Sequence, residues 1–316
     1  MQNCLRSYQP NRTSSMNRTQ SSSVSFFIIQ GLASLGEKRM ILFVIFLLAY
    51  TIILGGNCMI ICLVRIDAKL GSPMYFFLHN LSFVDVIYTT VTIPNMLSGF
   101  LTEVQTVSIP GCFLQMFCFI QMSTTGRALL TVMAYDRYVA ICNPLHYMAV
   151  MTRTKCLLLI FGAWAFSAIC TFPTILISSQ RSYCGPNVVR HCWCDPSSVR
   201  VLVCGDTQVD NYLSLSFAVI SLLATGVLIL TSYILIGMAI NKMGVTQRQK
   251  AFSTCVAHLT VVFISYSSAS FVYISYRVGN ISPEVILFFL VFLLLPISQF
   301  QCLLDCYDSG LSHQNT

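Results

Sequence analysis

The sequence predicts an all-α protein, a bundle of seven transmembrane helices with its N-terminus outside and its C-terminus cytoplasmic. Three observations predict it. Of 316 residues, 55% are hydrophobic and 9% are charged. A soluble domain carries roughly 25% charged residues, so these charges are too few to cover a water-facing surface of this size, and lipid is the solvent for much of it. Seven apolar segments reach the ~20 residues that a bilayer-crossing helix needs, at roughly 40–64, 75–99, 112–137, 156–178, 210–240, 253–276 and 284–304. The first and fourth of these, Met40 to Val64 and Cys156 to Ser178, contain no charge at all. Spanning strands are excluded because open sheet edges are not tolerated in lipid.

The elements follow in order. Residues 1–39 read as a polar extracellular tail, 40–304 as the helical domain and 305–316 as a short cytoplasmic tail. The apolar run from Val24 to Ile29 is too short for a signal-peptide core, so the first long segment serves as the insertion signal. Prolines inside the second, fourth and seventh segments (Pro94, Pro173 and Pro296) each remove a backbone hydrogen bond and predict kinks.

The net charge of +7 comes from 18 Lys plus Arg against 11 Asp plus Glu. These basic residues form no stripe, which argues for loops beside a membrane and against nucleic acid. With the N-terminus outside, the inner loops hold Arg65, Lys69, Arg137, Arg153, Lys155, Lys242, Arg248 and Lys250. The outer side holds Lys38, Arg39, Arg181, Arg190, Arg200 and Arg277, besides arginines in the tail, so the positive-inside rule leans only slightly toward this orientation. Three glycosylation sequons, at Asn11, Asn17 and Asn280, fall on one side in the same arrangement, while the match at Asn80 lies inside a helix.

Most cysteines, such as Cys58, Cys118 and Cys170, lie in apolar segments, where the residue acts as a small packed hydrophobe. His191, Cys192 and Cys194 are close enough to raise a metal site, a weak signal beside the four ligands that a structural zinc site takes. No nucleophile–base set, metal quartet or phosphate loop is present, so neither an enzyme nor a cofactor is expected.

The third segment ends in Met133-Ala134-Tyr135-Asp136-Arg137-Tyr138-Val139-Ala140-Ile141-Cys142-Asn143-Pro144-Leu145-His146-Tyr147. Gly56-Asn57 lies in the first segment, and the run from Pro73 to Asp85 opens the second. Ser232-Tyr233 lies late in the fifth, and the run from Lys250 to Leu259 opens the sixth. Five blocks in this order resemble the vertebrate odorant (olfactory) receptors, a branch of the rhodopsin-like G-protein-coupled receptors.

That resemblance implies a plasma-membrane receptor that binds a small volatile odorant and couples to a stimulatory heterotrimeric G protein, raising cyclic AMP. It pairs Cys112 with Cys194 and Cys184 with Cys204, whereas the sequence alone does not fix the pairing and leaves Cys192 and Cys4 over. It places coupling and switching at Asp136, Arg137, Tyr138, Arg153, Tyr233 and Lys250. An odorant pocket is implied among Phe119, Ile120, Ser123 and Thr124 of the third helix and Phe217 and Ser221 of the fifth. Ala269, Ser270 and Tyr273 of the sixth join it, with Tyr266 at the floor and Phe289 of the seventh at the side. The spacing 119, 120, 123, 124 follows one helical face.

Two departures from the family pattern stand out. Odorant receptors usually carry an acidic residue eleven positions before the motif's Arg; here Gly126 stands there, followed by Arg127. A buried arginine needs a partner, and Asp85 is the expected one. In the seventh segment the family's Pro-x-x-Asn-Pro-x-x-Tyr becomes Pro296-Ile297-Ser298-Gln299-Phe300-Gln301-Cys302-Leu303. The tail beyond it holds Asp305 and Asp308 and no Lys or Arg. These changes give the alternative of a receptor-like protein with impaired signalling. A seven-helix transporter or channel is a weaker alternative, since Asp85 and Arg127 alone are too little for a midplane path.

Overall fold

The structure, a computed structural model, describes residues 25–30, 38–67, 71–102, 104–184, 186–189 and 191–278. Its elements in chain order are β1 (Phe26–Ile29), α1 (Lys38–Ile66), α2 (Pro73–Leu101), β2 (Gln105–Ser108) and α3 (Ile109–Cys142). After a 3-10 turn at Pro144–His146 come α4 (Tyr147–Val150), α5 (Arg153–Ser179), β3 (Val188–Val189), α6 (Pro196–Arg200), α7 (Gln208–Ile240) and α8 (Val245–Val278). The six long helices α1, α2, α3, α5, α7 and α8 occupy the first six predicted segments, each extended by a few residues. The seventh segment lies outside the described residues.

Helix starts follow local chemistry. Pro73 sits in the first turn of α2, where its missing N–H is not needed. The Ser108 hydroxyl accepts from the Gly111 N–H to begin α3, and the Thr152 hydroxyl accepts from the Lys155 N–H to begin α5. α2 and α5 run on through Pro94 and Pro173.

By length and composition α1, α2, α5 and α7 can each cross a membrane, and α8 contains a shorter apolar stretch, Cys255–Phe271. Large apolar side chains point outward, among them Ile41, Leu48 and Ile52 of α1, Phe161 and Ile169 of α5, and Leu223 of α7. α3 packs against α2, α5, α7 and α8, and its Leu129, Leu130 and Met133 join Phe77, Leu81 and Val84 of α2 in the core.

Lipid is as apolar as leucine, so helix association rests on close packing and on polar bonds between helices. The Ser167 hydroxyl of α5 donates to the Gln121 carbonyl of α3 at 2.8 Å, and the Tyr266 hydroxyl of α8 donates to Thr225 of α7 at 2.7 Å. Gly226 permits that second approach, since a Cβ there would stand 3.3 Å from the Tyr266 ring.

One feature has no counterpart in the sequence reading. The short run around Phe26–Ile29 forms the central strand of a three-stranded sheet, antiparallel to β2 and parallel to β3. Phe26 faces Ser108, and Ile29 faces both Gln105 and Val189. Phe27, Ile29 and Val189 are buried in one cluster with Cys112 and Cys194, and the Phe27 ring meets Tyr183 edge-on with centroids 5.3 Å apart.

Candidate functional site

A cavity of ≈ 320 Å³ opens among α3, α5, α7 and α8, beneath the loop that carries α6. From α3 it is lined by Phe119, Ile120, Ser123, Thr124 and Arg127, and from α5 by Cys170 and Thr174. α7 contributes Asn211, Ser214, Leu215, Phe217, Ala218 and Ser221. Tyr88 of α2 and Ala269 of α8 close the sides, and Asp195, Pro196, Ser197 and Arg200 form the loop wall. Aromatic and aliphatic side chains share this lining with six serines and threonines, one amide and three charged groups, Arg127, Asp195 and Arg200. An apolar wall with a few placed polar groups is usual for a small-molecule site.

The loop is fixed from several directions. Cys194 is bonded to Cys112 at the start of α3, and Cys184 to Cys204. Asp195 caps α6, its carboxylate accepting from the Ser197 and Ser198 N–H groups at 2.9 and 3.2 Å and from the Ser197 hydroxyl. Arg200 donates to Asn211 at 2.7 Å and to Ser214 at 2.6 Å, joining the loop to α7. Arg181 and Asp210 form a two-pronged pair at 2.9 and 2.7 Å beside it. Trp193 is fully enclosed, with Phe119 5.8 Å below it and His191 edge-on at 4.3 Å. Burial pushes the free Cys192 thiol up to about 12, which keeps it protonated and unreactive.

At the opposite end of α3, Asp136 is 1% exposed and accepts a hydrogen bond from the Tyr147 hydroxyl at 2.8 Å. Burial, then the Asp136 carboxylate, raises the Tyr147 hydroxyl far above its ordinary range, so it remains a donor. Tyr138 packs against Ile236 and Ile240 of α7 and Cys255 of α8. Nearby, the Tyr233 hydroxyl and His258 Nδ1 lie 2.8 Å apart, bonding α7 to α8.

The sequence profile described as olfactory receptor matches residues 46–299, most of the chain. This chain belongs to the olfactory receptor family. Human olfactory receptor 8H3 is 40% identical over 270 residues, covering 84% of this chain and 86% of that protein. Human olfactory receptor 5F1 is 41% identical over 260 residues (82% and 83%), and mouse olfactory receptor 6E1 is 38% identical over 255 residues (80% and 82%). Among solved structures, squid rhodopsin superposes with a TM-score of 0.62 at 17% identity, covering 86% of this chain and 77% of its own, which shows the shared fold. The molecule is therefore a multi-pass membrane receptor of the rhodopsin-like class, with the seven-helix architecture of its family, and not an enzyme.

In this olfactory receptor Phe119, Ile120, Ser123, Thr124, Phe217, Ser221 and Ala269 of the expected pocket all line the cavity. Tyr266 does not; its hydroxyl is committed to Thr225. Ser270 is half-buried and also off the lining. The side chain of Tyr273, and Phe289, lie outside the described residues. Arg153 is exposed at the start of α5, while the Lys250 side chain, Asn11, Asn17 and Asn280 lie outside the description.

The expected pairing of Arg127 with Asp85 is corrected. Arg127 donates instead to Ser123 Oγ at 2.8 Å and Thr124 Oγ1 at 3.3 Å, and it forms no ion pair among the described residues. Helical phase explains this. A Cβ on Gly126 would touch Val84 and Leu81 of α2, at 3.9 and 4.0 Å, whereas Arg127, about 100° further round the helix, faces the cavity. The metal idea also falls, because Cys194 is spent in a disulfide.

Missed entirely were the loop residues, which have no periodicity to read. Ser214 and Ala218 on α7 were missed despite a signal, since they share the face of Phe217 and Ser221 at helical spacing.

Proposed function

We propose that this cavity is the odorant site, and that agonists there favour an arrangement whose Asp136–Arg137 end admits a stimulatory heterotrimeric G protein, raising cyclic AMP. The observation that carries the reading is the cavity, part apolar and part polar in its lining, at the disulfide-bearing end of the same helix that ends in Asp136 and Arg137. Disulfides persist on the oxidising side of a membrane. On this reading the cavity lies outside, together with residues 1–39, their glycosylation sites Asn11 and Asn17, and Asn280, and residues 305–316 lie inside. At the inner end the planar Arg137 fork can leave its acidic neighbour and donate to backbone carbonyls of a docking protein. Tyr138, Tyr233, Arg153 and Lys250 flank that face. A ligand shifts the balance only through unequal affinity for the two arrangements.

The seventh-segment sequence favours a second reading, weakened signalling, because Gln299, Phe300 and Leu303 stand where the family has Asn, Pro and Tyr. A cyclic AMP reporter assay over a volatile panel, normalised to surface staining, tests both. The expected result is an agonist response that Ala269→Trp abolishes by filling the cavity. A response surviving Ala269→Trp overturns the site, and a response seen only after Gln299→Asn, Phe300→Pro and Leu303→Tyr together favours the second reading.

A further inference from the structure

We propose that the cavity takes a carboxylate ligand, a medium-chain fatty acid of about eight carbons, with its head group on Arg127; this rests on reading the cavity as the ligand site. Arg127 is 7% exposed and lines the cavity. Among the described residues its two terminal nitrogens donate only to the uncharged hydroxyls of Ser123 and Thr124, and its Nε–H finds no acceptor. A buried guanidinium needs a counter-charge, and no carboxylate pairs with it among the described residues.

The surrounding groups point the same way. Asp195 is the single acidic side chain in the described lining, and capping α6 occupies it. Arg200 is a second cation on the same wall. The cavity therefore carries a positive surplus, which repels amines and leaves Arg127 unmatched by a neutral alcohol. Nε and a terminal nitrogen offer the parallel N–H pair that a carboxylate accepts in bidentate fashion. The Ser123 and Thr124 hydroxyls, which donate to no protein acceptor among the described residues, can turn their hydrogens to the same anion.

The size of the cavity suits that chain length. At about 30 Å³ per heavy atom, the share of a water in the liquid, a cavity of ≈ 320 Å³ holds about ten heavy atoms, the number in octanoate. From Arg127 up to Ile120 is seven residues, about 10 Å of helix. Along that path Phe119, Phe217 and Ala218 supply an apolar wall for the tail.

The test is a thermal shift on the full-length receptor in nanodiscs at neutral pH, titrated with octanoate, 1-octanol or octylamine. Octanoate is expected to raise the unfolding midpoint at about tenfold lower concentration than 1-octanol, and octylamine to have no effect. Arg127→Met is expected to abolish the octanoate shift and keep that of 1-octanol, and Arg127→Lys, which keeps the charge but not the fork, to retain part of it. Equal potency of acid and alcohol in the unmodified receptor overturns the proposal, and decides alone if Arg127→Met does not fold. So does an octanoate shift that survives Arg127→Met, or a chloride shift of the same size, which would make Arg127 an inorganic-anion site. If Ala269→Trp leaves the octanoate shift intact, the cavity reading itself is wrong. If it removes the 1-octanol shift while acids are not preferred, only the carboxylate proposal falls.

Discussion

At the cavity end of the bundle, two disulfides, a three-stranded sheet and the Arg181–Asp210 pair join segments far apart in sequence. At the Asp136 end no such cross-link appears among the described residues. There α3, α4, α7 and α8 meet through single hydrogen bonds, Tyr147 to Asp136 and Tyr233 to His258, and through the packing of Tyr138. Covalent closures resist rearrangement, whereas bonds of about 0.5–1.5 kcal/mol each exchange readily. A receptor needs this asymmetry: a cap that holds a pocket's shape above, and contacts that can be traded for a partner's below.

Three experiments can break or sharpen the contrast. The largest effect is expected from Cys112→Ala, which opens an 82-residue loop, and a smaller one from Cys184→Ala, which opens one of 20 residues. Chain-entropy reasoning gives about 4.5 and about 3 kcal/mol respectively. Surface staining and thermal inactivation should rank them in that order, and the reverse order would break the account of the cap. Next comes Tyr147→Phe. Losing this donor leaves the buried Asp136 carboxylate short of a bond and weakens the closed inner end by about 1–3 kcal/mol. Ligand-independent cyclic AMP should rise at matched surface density, and an unchanged baseline would remove Tyr147 from the switch.

The smallest effect concerns His191. Burial, only partly opposed by the Asp195 carboxylate, lowers its pKa from the ordinary 6.5. Below about 6.5 the unfolded chain therefore takes up the proton before the folded loop does. Stability contributed by the neutral imidazole is present above that pH and is lost as pH falls, by no more than about 1.4 kcal/mol per pH unit. Thermal midpoints measured across this window should fall less steeply in His191→Gln, and parallel curves would show that the cap does not sense His191.

The helical segments were legible because length and apolarity are the whole requirement for crossing lipid, and α1 and α5 read almost to the residue. The cavity face of α3 was legible because the family resemblance implies a pocket on that helix and the spacing 119, 120, 123, 124 puts those four residues on one side of it. Side-chain direction was the harder matter. Asp85 was the obvious partner for Arg127 by charge, yet a single residue of helical phase gives Gly126 the α2 side and Arg127 the cavity side. Strand β1 was hidden because four apolar residues after a polar tail carry no sign of a sheet until β2 and β3 are folded beside them. Asp195 and Arg200 were invisible as cavity residues for a similar reason, since a disulfide and a helix cap, not periodicity, set where they lie.

The parallel pairing of Ile28 and Ile29 with Val188 and Val189 has a consequence for biosynthesis. A ribosome makes the Phe26–Ile29 stretch about 160 residues before its neighbour, and the chain between them contains four long helices. Translocation must deliver one partner early and the other late to the same compartment, so the amino-terminal strand waits, half-matched to β2, until the fourth long helix has threaded the bilayer. Chaperones in that compartment would meet the waiting strand first, and a trafficking defect can begin there before the cavity has formed.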